Sequence, residues 1–119
     1  MKDEKLRETL LLLEEALKEY DMNPKSRLWF LAVSKAYEVS FEYFWKALKR
    51  ECDMAGLEVY SPRDSLRGAQ ELNLINDIER WNSFLHARNL SVHDYIGMNE
   101  KEFIPLIKEF SNSVLTLLK

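Results

Sequence analysis

An all-α fold is predicted by two features of this chain. Only three glycines and three prolines interrupt its 119 residues, which leaves little room for hairpin turns, and its apolar residues recur at intervals of three and four over long stretches. The expected architecture is a compact up-and-down bundle of about five helices joined by short loops, with one long helix at its centre. A chain of this length builds one hydrophobic core, so residues 1–119 are expected to form a single domain.

The first helix is expected to begin near Asp3 and reach about Tyr20, because Leu6, Leu10, Leu13, Leu17 and Tyr20 form one apolar seam. Asn23 and Pro24 have the residue types of a cap and a first turn, so a second and much longer helix is expected to open there. It extends to Gly56, which suits a left-handed C-terminal stop. Val33, Tyr37, Phe41, Phe44, Leu48, Cys52 and Ala55 make one apolar stripe on this helix; Trp29, Ala36 and Tyr43 make another, and Phe30 and Trp45 widen both. Such a helix is either central or also part of an oligomer interface. Ser61-Pro62 with Asp64 reads as a box-like cap opening a third helix, which ends around Leu72 or Asn73. A fourth is expected to open at Asn76 with Glu79 three residues on, and a fifth at Asn99 with Glu102. Pro105 falls early in the fifth and predicts a slight kink.

The formal net charge of −3 argues against a general nucleic-acid coat protein, whose binding depends on neutralising phosphates. A confined anion site remains open. Arg63, Arg67, Arg80 and Arg88 fall in one third of the chain, while the acidic excess is heaviest at its start. Arg63 and Arg67 are therefore candidate phosphate-binding residues. No apolar run approaches the length of a membrane span, and the opening Met1-Lys2-Asp3-Glu4-Lys5 lacks a signal-peptide pattern, so a cytoplasmic protein without membrane contact is expected. The single cysteine, Cys52, lies at helical spacing from Leu48 and Ala55 as a small core residue. With two histidines and no cysteine near either, no metal and no cofactor is expected.

Chemistry concentrates in Arg88-Asn89-Leu90-Ser91-Val92-His93-Asp94-Tyr95. An arginine can fork onto two phosphate oxygens, an imidazole can move a proton near neutral pH, and a tyrosine offers a hydroxyl nucleophile. At helical spacing Ile78, Trp81, Leu85 and Arg88 form one stripe, continued by Val92 and Tyr95 if the helix persists. Arg88 thus stands where a core leucine would be expected, and either pairs with a buried carboxylate or serves as an anion site. His93 shares a neighbouring face with Asn89 and His86, about 140° from Arg88 on an ideal helix. One phosphate meets both only if the helix distorts, the arginine reaches round, or a second chain supplies the other half. Metal-free cleavage of RNA by a 2′ hydroxyl needs a base, an acid and a cation. A two-fold homodimer that faces two such segments supplies that set. The competing reading makes His93 a structural hydrogen-bond donor and Tyr95 a core ring with its hydroxyl at the surface.

The spacing of Arg88, His93 and Tyr95 resembles the arginine, four-residue spacer, histidine, any residue, tyrosine motif of HEPN-family proteins. The HepT-like branch, also called nucleotidyltransferase substrate-binding proteins, resembles the chain over most of residues 28–96. Phe41-Glu42-Tyr43-Phe44-Trp45-Lys46 is similar to that branch's Phe-Glu-x-x-Trp-Lys signature, and Ser61-Pro62-Arg63 followed by Arg67-Gly68-Ala69 is similar to its Ser-Pro-Arg turn and following helix. Trp81, seven residues before Arg88, also fits. The resemblance implies a HEPN-like helical homodimer encoded beside a minimal nucleotidyltransferase, with the HEPN protein a ribonuclease toxin and the transferase its antitoxin. Carried onto this sequence, it implies catalytic Arg88 and His93, an assisting Asn89, RNA as substrate, and Tyr95 as the hydroxyl silenced by an ATP-derived nucleotide. The alternative is a non-catalytic subunit that presents a substrate, or its own tyrosine, to the transferase. Asp94 stands where many relatives have threonine and brings a negative charge beside the phosphate site. Glu42 and Lys46, four residues apart, suit an ordinary intrahelical ion pair.

Overall fold

Each helix begins where a side-chain oxygen can accept one of the orphan N–H groups of a first turn, and in the computed structural model, which describes residues 1–119, five helices do so. They are α1 (Glu4–Met22), α2 (Arg27–Met54), α3 (Pro62–Glu71), α4 (Ile78–His93) and α5 (Glu100–Leu117), with a 3₁₀ turn at Tyr95–Gly97 between the last two. Asp3 accepts from the Leu6 N–H at 2.9 Å, Ser61 from Asp64 at 3.1 Å and Asn99 from Lys101 at 3.0 Å. The all-α bundle expected from the sequence is present, and no helix is long and apolar enough to cross a membrane.

Two openings are displaced. Asn23 does not start α2; its backbone N–H returns to the Glu19 and Tyr20 carbonyls and its side-chain amide donates to Glu19, so it closes α1. Pro24 lies in the intervening turn, and Ser26, which accepts from the Trp29 N–H at 3.3 Å, caps α2 instead. At the start of α4 the cap is Asp77 rather than Asn76. Asp77 adopts a left-handed conformation (φ 55°), and the amide oxygen of Gln70, reaching across from α3, accepts from the Ile78 N–H at 3.0 Å. The box at Ser61 is half made, since the Asp64 carboxylate turns to Arg67 at 2.6 Å. Gly56 ends α2 as expected: at φ +81° it lets the Leu57 N–H reach the Cys52 carbonyl and its own N–H reach Asp53.

The 28 residues of α2 span about 42 Å, close to the 46 Å long axis of the molecule, and α2 packs against all four other helices. It is therefore the central helix. Leu6, Leu10 and Leu13 of α1 are fully buried against it. On the other side, Phe110 of α5 lies among four rings, with centroids 5.0 Å away at Tyr37, 5.5 Å at Phe84 and 5.7 Å at both Phe41 and Phe44. Each such pair adds about 0.5–1.5 kcal/mol beyond its buried area. Trp81 stacks on Phe44 at 5.0 Å. The Tyr37 hydroxyl, buried among these rings, donates to the Phe84 carbonyl of α4 at 2.5 Å.

Helix α3 approaches α2 closely because Gly68 has no side chain. A Cβ there would stand 2.7 Å from the Cys52 Sγ and 3.2 Å from a Val59 methyl carbon. Gly68→Ala is expected to lower stability by about 1–3 kcal/mol in chemical denaturation. Adding Cys52→Ala to that variant is expected to recover part of the loss, since it removes the obstructing sulfur.

Candidate functional site

Along most of its length α2 turns apolar faces to its neighbours, yet Lys35, Glu38, Glu42 and Lys46 recur at helical intervals as one charged stripe. Beside α4 this stripe lines a groove of about 460 Å³ with Val39, Tyr43, Arg88 and Val92. Besides the Tyr37–Phe84 bond in the core, two side-chain contacts cross from one helix to the other at this groove. The Ser91 hydroxyl donates to Glu38 Oε2 at 2.6 Å, and Arg88 Nη2 donates to Glu42 Oε2 at 3.2 Å. Arg88 is also held on its other side, where Nη1 donates to the Asn89 side-chain oxygen at 2.9 Å.

Glu42 collects three donors. Besides Arg88, the Trp45 indole donates to Oε2 at 3.0 Å and the Lys46 ammonium lies 3.2 Å from Oε1. Burial pushes the Glu42 carboxyl up, but hydrogen bonds from Trp45 and Lys46, with the charges of Lys46 and Arg88, outweigh it and hold the carboxyl below the ordinary glutamate range. The pair is not a buried one. A quarter of the Arg88 side chain and 38% of Glu42 remain exposed, so solvent reaches both partners. Arg88 has the carboxylate partner that a cation on an apolar stripe requires, and it also faces an open groove.

The rest of the motif lies elsewhere. Helix α4 stays regular through His93, so the angular separation between Arg88 and His93 persists. His93 is exposed and makes no hydrogen bond to Arg88, whose bonds go to Asn89 and Glu42. The buried stripe does not continue through Val92, which is half exposed; Ser91 is the buried residue of that turn. The helix breaks at Asp94, whose carboxylate accepts from the Gly97 N–H at 3.3 Å and leaves no room for a side chain at Gly97. This turn brings Tyr95 back onto Phe30, ring centroids 5.5 Å apart.

The Tyr95 ring is half-buried, and its hydroxyl is buried with no hydrogen-bond partner, which departs from the competing reading that put the oxygen at the surface. Burial raises the hydroxyl's pKa, Arg27 offsets part of the rise, and Glu100 adds to it. Those two neighbours are bonded to each other at 2.6 Å, and the Tyr20 hydroxyl donates to Glu100 at 2.9 Å. Arg63 and Arg67 lie exposed on α3, Arg67 paired with Asp64, and neither lines the Arg88 groove. Lys35, Glu38 and Ser91 were not singled out from the sequence; the three- and four-residue charge spacing on α2 carried the signal for Lys35 and Glu38, and no pattern marked Ser91.

A family model described as "Nucleotidyltransferase substrate binding protein like" matches residues 2–119. The chain belongs to that family. The match covers nearly its whole length, so the groove, the α4 motif and the Tyr95 turn all lie within the nucleotidyltransferase substrate-binding unit. No curated protein matches the chain.

A carboxyl whose pKa is lowered on folding stabilises the protein above its unfolded value and loses that contribution as pH falls through the folded one. The contribution of Glu42 is thus present at neutral pH and fades below about pH 4. In thermal melts, Glu42→Gln is expected to lie below the parent at neutral pH and to converge with it on acidification. A constant gap would show that ionised Glu42 gives no stability.

Proposed function

We propose that this protein is the HepT-like HEPN toxin subunit of a pair with a minimal nucleotidyltransferase antitoxin, acting as a metal-independent endoribonuclease and silenced by nucleotidylation of Tyr95. The observation that carries the reading is that one helix, α4, presents Arg88 to an open charged groove and, five residues on, His93 to solvent without a partner. A cation and a proton carrier are both within reach of an RNA strand, but on different faces. A homodimer that faces two α4 ends supplies the missing half. His93 of one protomer then removes the proton from a 2′ hydroxyl, and that oxygen attacks the adjacent phosphorus. The bond to the 5′ oxygen breaks, the second histidine protonates the leaving oxygen, and Arg88 stabilises the charge on the phosphoryl oxygens. The products are a 2′,3′-cyclic phosphate and a 5′ hydroxyl, and Asn89 keeps the guanidinium oriented.

A second reading, a non-catalytic subunit that binds substrate for the transferase, is favoured by the engagement of both terminal nitrogens of Arg88, by Asn89 and Glu42, within the protomer. The two readings separate in a cleavage assay on purified protein. Arg88→Ala and His93→Ala are each expected to slow RNA cleavage by about a hundredfold or more. Equal cleavage by parent and variants, or none by any, removes the enzymatic reading and leaves the substrate-binding one.

In the silencing step the Tyr95 oxygen attacks the α-phosphorus of a nucleoside triphosphate, its proton passes to a base, and pyrophosphate leaves. Because that oxygen is buried, the Tyr95–Gly97 turn has to open first. Intact mass after incubation with the partner transferase and ATP is expected to rise by at least one adenylate, and Tyr95→Phe is expected to abolish the gain. A gain that survives in Tyr95→Phe assigns the acceptor to another residue.

A further inference from the structure

The guanidinium that the reading above assigns to a phosphate already holds an anion. Glu42 Oε2 lies 3.2 Å from Arg88 Nη2, and the same carboxylate stands in the groove that a phosphate must enter. Two anions cannot share this fork without repulsion, so an arriving phosphate has to compete with the carboxylate. The surroundings of Glu42 make that exchange cheap. Trp45 at 3.0 Å and Lys46 at 3.2 Å still satisfy both carboxylate oxygens once Arg88 lets go, so no charge is orphaned. Meanwhile Asn89 retains Nη1 and keeps the guanidinium in place.

We propose that Glu42 is a built-in competitor that occupies Arg88 in the unliganded protein and that a nucleotide phosphate enters the α2–α4 groove by displacing it. The inference rests on Arg88 being the phosphate contact, and it assigns Glu42 a positioning and gating role through that residue. It also gives a use to the charge pattern of the groove. Lys35, Lys46 and Arg88 face two carboxylates, Glu38 and Glu42, which offset most of the positive charge that would draw a phosphate into the groove. Glu38 is the internal comparison, because it carries the same charge but is bonded to Ser91 rather than to the arginine.

The test measures binding of a short labelled single-stranded RNA and, in a separate arm, of ATP to the parent, Glu42→Gln, Glu38→Gln, Arg88→Ala and Arg88→Ala with Glu42→Gln. Glu42→Gln is expected to tighten binding about two- to fivefold, the scale of releasing one partly exposed ion pair. Glu38→Gln is expected to give a smaller gain, and the Glu42→Gln gain is expected to vanish without Arg88. A purely structural role for Glu42 predicts weaker binding, and simple surface charge predicts equal gains from both acids in either background. Each of those results overturns the proposal, as does binding of neither probe by any variant. If Arg88→Ala binds as well as the parent, the phosphate assignment itself fails. If Arg88→Ala binds less tightly while Glu42→Gln is no tighter than the parent, only the competitor role fails. A gain confined to RNA identifies a phosphodiester as the displacing group, and one confined to ATP identifies a free nucleotide.

Discussion

The hydroxyl of Tyr37 cannot remain unbonded inside a core of rings, and it finds its acceptor in the carbonyl of Phe84 on α4. In a regular helix that same carbonyl receives the N–H of Arg88, so the hydroxyl is tied to the turn that carries the arginine. Burial raises the Tyr37 pKa well above the ordinary phenol value, although the Arg88 charge opposes the rise, which fits a neutral hydroxyl acting as a donor. This bond and the stacking of Trp81 on Phe44 set the rotation of α4 about its own axis relative to α2. With that rotation fixed, Arg88 meets Glu42 and Ser91 meets Glu38. The polar edge of the helix pair is thus a consequence of its aromatic interior.

That edge joins two kinds of demand on one helix. The inner side of α2 supplies Phe30, Val33, Tyr37, Phe41, Phe44 and Leu48 to the core, all fully buried, while its charged stripe remains partly wet. An arginine in such a position is held firmly enough to keep its direction yet loosely enough to change partners. A fully dry pair would be far harder to part, because separation leaves an uncompensated charge.

Most of the fold was legible in the sequence because the apolar seams have helical period and several stops have unambiguous chemistry. Gly56, Ser61 and Asn99 act where their residue types indicate. The displaced boundaries are places where neighbouring residues competed for one job. Asn23 and Ser26 are both good caps, and backbone bonds to Glu19 and Tyr20 drew Asn23 to the helix behind it. Asn76 and Asp77 are likewise adjacent, and the contact that favours Asp77 comes from Gln70 on another helix, which no local pattern records. At the site, the motif residues were visible but their relations were not. The Glu42 to Lys46 pair was readable at four-residue spacing, whereas its link to Arg88 spans 46 positions. The inward fold of Tyr95 depends on Asp94 closing over Gly97, a turn rather than a periodicity.

The close approach of α3 to α2 has one more consequence. The chain has a single thiol, and it lies fully buried beneath the backbone of Gly68, with its proton directed toward the Ser65 carbonyl at 3.9 Å. Burial also raises its pKa, and the charges of Asp53, Glu51 and Glu71 add to that, so the reactive thiolate is scarce even when reached. An alkylating reagent meets this sulfur only in molecules whose α3 has lifted away. The protein therefore carries its own clock for that local opening, with the labelling half-time as its reading.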